Sequence, residues 1–327
     1  MPISYDGISV VLQGPIDWTL DARRLIATTR ALSMNVRRLL PGAEIVLSTW
    51  DNQKYDSIDI DRVVVSKDPG PQGEWPSFVP TNINRQITST VAGLKASKRP
   101  YCLKCRTDIM LESVKFLDVY SSLKPIPSDE RRLFDRPIVS NNLTSRNTSE
   151  ILSRLPDHPL LFHPSDHIHF GLREDLLRLW DVPLQSEKDA HFFVDRTQPN
   201  RWRYHELSRL APEQHLLTSA IAKRIEIDFA HYAHHSAALE DLSEYYMNTH
   251  FHFVPDKQFE IHFPKYHTPH HFSFEWMRRN PDRTLLETTE LQSGRNPNFT
   301  IGKRLTYPFR RPRQFAKAVG RSLGMKI

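Results

Sequence analysis

Cysteine is nearly absent from this chain, which has only Cys102 and Cys105. Two cysteines exclude a disulfide scaffold, and without a second pair they exclude a four-thiolate zinc site. A redox C-x-x-C opens a helix. This one lies inside a strand pattern, where positions three apart point to opposite faces, so both are expected as core thiols. Glycine is scarce as well, 11 in 327 residues, and no glycine-rich loop of the P-loop or dinucleotide-binding kind is present. No run approaches the roughly 20 apolar residues that span a bilayer. The first residues, M-P-I-S-Y-D-G, lack the charged-then-apolar pattern of a signal peptide, which gives the expectation of a cytosolic protein. Internal repeats are missing too.

Charge of one sign is missing from the last stretch. Residues 302–327 carry eight basic side chains (Lys303, Arg304, Arg310, Arg311, Arg313, Lys317, Arg321, Lys326) and no acidic one, within a chain of net charge +6. The positive excess therefore belongs to the tail, and the body is slightly acidic, which argues against a general nucleic-acid binder. Arg313, Lys317 and Arg321 recur at i+4, as do Phe315, Val319 and Leu323. The two rows are offset by about 200° on a helix. Opposed basic and apolar faces predict an interfacial helix at an anionic membrane surface, with no nucleic-acid partner.

What is there is an alternation of apolar strands and amphipathic helices. Strands are predicted over 8–12, 44–50 and 62–66, and a buried strand runs through 99–111 to end on Asp108. Helices are predicted over 19–40 and 83–96. Such alternation implies a mostly parallel sheet flanked by helices. Beyond it, 113–137 reads as irregular. Strands are expected at 138–143, near 161–170 and within 251–263, and helices over 173–179 and 212–224.

Parallel sheets bind ligands outside the carboxyl ends of their strands, so polar residues at the exits are the candidates. Gln13 and Gly14 close the first strand and Asp51 the second. Asn84 and Arg85 lie in the first turn of the 83–96 helix, where the dipole favours a phosphate. Arg106 and Asp108 end the fourth strand; a single Asp suits Mg²⁺ or Mn²⁺ held partly by phosphate oxygens. Asp166, in H-P-S-D-H, and Glu213, in A-P-E-Q-H, are the alternative general bases. The 16 histidines form no zinc spacing, and the groups 231/234/235 and 267/270/271 are expected in surface loops. His262, in a strand pattern, is a candidate to complete a metal shell.

The ordered series S-V-V-L-Q-G-P-I, E-I-V-L-S-T-W-D, V-V-V-S-K-D-P-G, N-I-N-R-Q-I-T-S-T-V-A-G-L-K, K-C-R-T-D, H-P-S-D-H-I-H-F-G and A-P-E-Q-H-L resembles the WavE lipopolysaccharide-synthesis family of bacteria, over roughly residues 8–265. That family is similar to GT-A glycosyltransferases. The resemblance implies a GT-A-like α/β domain over 1–265, with a nucleotide half of about 1–112 and a smaller acceptor half of about 113–265. A C-terminal extension, 266–327, would carry the basic tail.

It also implies transfer of a sugar from a nucleotide-sugar donor to a bacterial surface glycan, whether lipopolysaccharide core, O-antigen or capsule. Asp108 would inherit the metal or diphosphate role with Mn²⁺ or Mg²⁺, Gln13 and Asp51 the nucleotide side, and Asp166 and Glu213 the acceptor side. R-T-D departs from the two-Asp form common in GT-A enzymes. The expected location is cytoplasmic, peripheral on the inner face of the cytoplasmic membrane, and two other readings remain open: transfer of a sugar phosphate or polyol phosphate, and a non-catalytic membrane-associated adaptor of the biosynthetic machinery.

Overall fold

The structure, a computed structural model, describes residues 3–20, 26–73, 80–141, 160–199, 207–254 and 260–262. After a 3-10 turn at Tyr5–Gly7, its elements in chain order are β1 (Ile8–Gln13), α1 (Thr28–Leu39), β2 (Glu44–Trp50), β3 (Arg62–Ser66), α2 (Ile83–Ala96), β4 (Tyr101–Arg106), β5 (Met110–Leu111), α3 (Phe116–Ser122), β6 (Ile138–Asn141), β7 (Ile168–Leu172), α4 (Arg173–Trp180), α5 (Glu187–Ala190), α6 (Pro212–Ile221), α7 (Ala237–Thr249), β8 (Phe251–Val254) and β9 (Ile261–His262).

Seven strands form one sheet in the order β3-β2-β1-β4-β7-β6-β8. The first four run parallel. β7 is antiparallel to both β4 and β6, and β6 is parallel to β8. The expected α/β architecture, a mostly parallel sheet flanked by helices, is present. β5 and β9 make a separate antiparallel pair.

Strand alternation assigns the core. Val11, Val46 and Cys102 pack on one face with apolar residues of α2, α4, α6 and α7. Val10, Leu12, Ile45, Leu47, Leu103 and Cys105 pack on the other with α1 and α3. Burying one large aliphatic side chain contributes roughly 1.5–3 kcal/mol, and the middle strands bury them on both sides. The two cysteines thus lie on opposite faces, both free, and burial pushes both thiols up to about 12. α2 lies closest to the sheet at Gly93, where an added methyl would collide with Val11 and press on Ser48.

The structure alters three expectations. The helix predicted from residue 19 begins at Thr28, because the segment before it folds back. Thr28 N donates to Thr19 O at 2.9 Å, Thr29 N to Asp17 O at 3.2 Å, and Leu20 bridges Ala27. The helix's first donors are therefore satisfied by its own approach loop. The fourth strand ends at Arg106, and Asp108 stands in a turn beyond it. The stretch read as irregular contains α3, while α5 and α7 had not been foreseen. The basic tail at 302–327 and the histidines at 267, 270 and 271 lie outside the described residues.

Candidate functional site

The exits of β1, β2 and β4 form one edge, and Gly14 sits at its centre. Its φ of +116° suits glycine, and an added Cβ would stand 3.3 Å from Thr107 Oγ1. Gly14 N donates to Ser48 O at 3.0 Å. Gln13 is buried, and its Oε1 accepts from Ser89 Oγ at 2.7 Å, which ties β1 to α2. Asp51 is exposed at the end of β2, where its amide donates to Ser66 O.

α2 delivers two predicted residues to different ends. Arg85 grips Asp68, with Nε to Oδ1 at 2.8 Å and Nη2 to Oδ2 at 2.7 Å. That guanidinium holds the Asp68 carboxyl below the usual carboxylate range. Asn84 is a correction. Its Nδ2 donates to Gln185 O at 3.0 Å and its Oδ1 accepts Gln185 N at 2.7 Å. A buried side-chain amide spent on both sides of one backbone unit pins the loop before α5, so Asn84 leaves the nucleotide-binding set.

At the end of β4, Arg106 and Asp108 bond in parallel, with Nε to Oδ1 at 2.9 Å and Nη2 to Oδ2 at 2.6 Å. Both side chains are mostly buried. β5 continues from this turn, and β9 sets His262 opposite Met110, two positions past Asp108. Among the described residues no three His, Cys, Asp or Glu side chains gather as a metal site. The donor this turn shows is one carboxylate, Asp108, with His262 near it in strand register. It suits a Mg²⁺- or Mn²⁺-type ion that takes its other ligands from phosphate and water. The guanidinium across Asp108 marks where a positive charge is favoured.

The antiparallel pairing of β4 with β7 brings the H-P-S-D-H segment to this same edge, because Cys105 lies opposite Ile168. Four buried groups hold the segment. Lys104, fully buried on β4, donates through Nζ to Asp166 O and lies 4.4 Å from the Trp180 ring centroid. Trp180 Nε1 donates to His169 Nδ1 at 3.0 Å. That fixes the His169 proton on Nε2, which donates to Ser165 O at 2.6 Å. Ser165 Oγ donates to Asn141 Oδ1 at 2.9 Å.

Burial drives the electrostatics here. It pushes Lys104 down to about 8, His167 to about 4 and His169 to about 3. For Asp166 burial acts upward, but His167, Lys104, Arg106 and a Gln86 hydrogen bond outweigh it and hold the carboxyl below its ordinary range. Asp166 is therefore a buried, compensated anion. Glu213 is placed differently. Pro212 starts α6, and Gln214 locks that start by bonding Ala211 N, Leu161 O and Tyr232 O at 2.9–3.1 Å. Glu213 Oε2 then meets His163 Nε2 at 3.3 Å. Hence one segment, 163–167, meets Glu213 at its first residue and lies within electrostatic reach of Arg106 and Asp108 near its last.

Lys104, Gln86, His163, His167, His169 and Trp180 were not among the predicted site residues. One signal was available: a lysine at an inward position of an otherwise apolar strand, Y-C-L-K-C-R, has to find a buried partner.

A parallel sheet whose charged side chains collect at its carboxyl edge, opposite a pinned polar loop, defines an α/β protein of the class that carries its ligand sites at that edge. A family model for WavE lipopolysaccharide synthesis matches residues 8–291. The chain belongs to that family, and its role lies in lipopolysaccharide synthesis. A comparison with curated proteins found no match. Among solved structures, HddC from Yersinia pseudotuberculosis complexed with GMP-PN is similar at 12% identity and a TM-score of 0.30, over 58% of this chain and 86% of that one. CMP:2-keto-3-deoxy-manno-octonic acid synthetase complexed with CTP is similar at 9% identity and a TM-score of 0.32, over 56% and 80%. At such scores neither fixes a function for this chain.

Proposed function

We propose that the protein is a glycosyltransferase that moves a sugar from a nucleotide-sugar donor to a lipopolysaccharide-type acceptor glycan. The observation that carries this reading is the convergence of the β4 exit, with Arg106 and Asp108, and the 163–167 segment with its Glu213 contact. One side offers charge for a diphosphate and the other a carboxylate for an acceptor hydroxyl. Gln13, Gly14 and Asp51 border the donor side, and Arg85, held by Asp68, stands at the start of α2 next to it.

Asp108 and His262 would hold a divalent cation. When bound, that ion offsets charge on the leaving diphosphate. Glu213 is assigned as the base that takes the acceptor proton. It opens α6 at the rim of the segment, and the His163 imidazole, 3.3 Å away, orients it. Asp166 is assigned to positioning, since a carboxylate held far below neutrality is a poor proton acceptor. Catalysis would come mainly from orientation and from charge stabilisation at the leaving group.

A thermal-shift screen with UDP, GDP, CDP and CMP, with and without Mn²⁺, tests the donor side. One nucleotide should raise the melting temperature; no response to any of them removes the reading. Product analysis then separates the two transfer chemistries. A nucleoside diphosphate as leaving product supports sugar transfer, and a monophosphate from a diphosphate donor supports sugar-phosphate transfer instead.

No helix among the described residues is long and apolar enough to cross a membrane. We assign membrane contact to residues 302–327, where each basic residue near an anionic surface contributes about 1 kcal/mol. Deleting 302–327 should abolish co-sedimentation with phosphatidylserine vesicles at low salt. Equal sedimentation of full-length and truncated protein would refute that assignment.

A further inference from the structure

Among the described residues five large apolar side chains stand about half exposed or more, and three of them belong to one loop and the helix it enters. They are Trp18 at 51%, Leu20 at 60% and Met34 at 51%. The loop, which leaves β1, is firmly held. Ile16 N donates to Gln53 Oε1 at 3.0 Å, Asp17 N to Thr29 Oγ1 at 2.8 Å, Thr19 N to Asp17 Oδ1 at 2.8 Å and Thr28 Oγ1 to Thr19 O at 2.8 Å. Residues 17–20 thus run antiparallel to 27–29. Trp18 and Leu20 are displayed beside the start of α1 on a pinned backbone.

α1 buries Ala31, Leu32, Asn35 and Val36. Arg30, Met34 and Arg38 are exposed, each one turn from the next, and form a stripe about 12 Å long. The helix has no acidic residue, and residues 18–40 hold five arginines in sequence against one acid, Asp21. Arg37, beside the stripe, is occupied by Asp59 and Asp61. Arg30 and Arg38 make no ion pair or side-chain hydrogen bond among the described residues.

Unpaired arginines alone would suit any polyanion. Leu20 and Met34 narrow the choice, since they have a use against acyl chains and little against a nucleic acid. A tryptophan flanked by cations matches the boundary of an anionic bilayer, where the ring sits among headgroups and guanidinium meets lipid phosphate. The loop also begins at Gly14, on the sheet edge of the proposed site, so a bilayer on this face would bring that edge to an acceptor carried on lipid.

We propose that the outer stripe of α1 and the 18–20 loop dock the protein on an anionic membrane, as a second contact beside residues 302–327. The proposal rests on the membrane reading above and adds the face of the folded body that meets lipid. Two weak contacts on one chain hold far more firmly than either alone.

The test uses the full chain and phosphatidylcholine vesicles with and without phosphatidylserine, some brominated in the acyl chain. Brominated lipid should quench tryptophan emission of the wild type, and quench it less in Trp18→Phe. Leu20→Ser with Met34→Ser, and separately Arg30→Ser with Arg38→Ser, should each lower binding to anionic vesicles at least about tenfold. Only the arginine pair should flatten the salt dependence. A full-length variant carrying Arg313→Ser, Lys317→Ser and Arg321→Ser should keep a weaker binding that the α1 substitutions then remove.

Wild-type binding by both double variants, each melting as the wild type does, overturns the α1 surface and leaves the tail reading intact. So does emission quenched equally with and without Trp18. Double variants that bind vesicles normally yet lose turnover on a soluble acceptor assign the loop to the ligand site and overturn the docking surface too. Absence of vesicle binding by the wild type overturns both readings.

Discussion

On the parallel side of the sheet, β1 and β2 are buried along their whole lengths, chiefly by Val, Ile and Leu packed from both faces. Charge appears mainly at their ends: Glu44 where β2 begins and Asp51 where it exits. Past β4 the interior itself is polar. Lys104, Ser140, Asn141, Ser165, Asp166, His167 and His169 are all buried, and their bonds converge on one five-residue segment. Aliphatic packing gives the parallel half its stability through area removed from water. A buried polar network contributes little net stability, because desolvation offsets most of each bond. What it supplies is a single geometry for 163–167. The two halves therefore divide the work: one is a frame, and the other is a holder for the residues of the proposed site.

That division can be broken by experiment, beginning at the rim. Asp108→Asn should reduce turnover by on the order of 10²–10³ or more, with circular dichroism unchanged, since the amide keeps shape but loses the charge that faces the donor. Donor turnover near the wild-type rate would remove Asp108 from the site. Glu213→Gln should lower kcat by on the order of 10²–10⁴, while Asp166→Asn should act mainly on stability and acceptor affinity. A larger kcat loss in Asp166→Asn would reverse the two assignments.

In the polar interior the largest effect should be on folding. Lys104→Met removes the peg on Asp166 and leaves that carboxylate less compensated, for a loss of about 3 kcal/mol in urea unfolding. A variant as stable as wild type would show that the segment is held without the lysine.

Protons probe the same contrast with smaller steps. His167, His169 and His250 are buried neutral, with values pushed down to about 4, about 3 and about 3. The unfolded chain takes up these protons first. Stability is therefore complete above about pH 6.5 and falls as pH drops toward 4, by up to about 1.4 kcal/mol per unit for each imidazole. Lys104 acts in the opposite window. Its value of about 8 lies below that of the unfolded chain, so its contribution improves as pH rises past 8. Above pH 9 the buried thiols of Cys102 and Cys105 oppose it, because they keep protons that the unfolded chain releases. Unfolding curves of wild type and Lys104→Met between pH 8 and 9 should show the rise only in the wild type.

Where local pattern carried the information, the sequence was legible. The bounds of β2, β3 and α2 follow from apolar runs and periodicity, and the alternation of β4 foretold the opposed cysteines. The start of α1 was not legible, because its first donors are met by a loop that folds back from Asp17 and Thr19. Asn84 was misread for a similar reason. Its partner is residue 185, a separation of 101 positions, and no periodicity reports that.

The residue order alone therefore determined the α/β class, the strands that make the parallel edge, and which carboxylates lie at strand or helix ends. These follow from hydrophobic period and from the chemistry of termini, both local. The tertiary structure decided which of those residues meet. The antiparallel placement of β7 beside β4 sets Asp166 over Lys104, the turn at Thr107 folds Arg106 onto Asp108, and α6 carries Glu213 to His163. Each pairing joins groups brought together by strand register or by a turn. Its strength comes from shared burial, a property of the packed molecule that neither residue carries by itself.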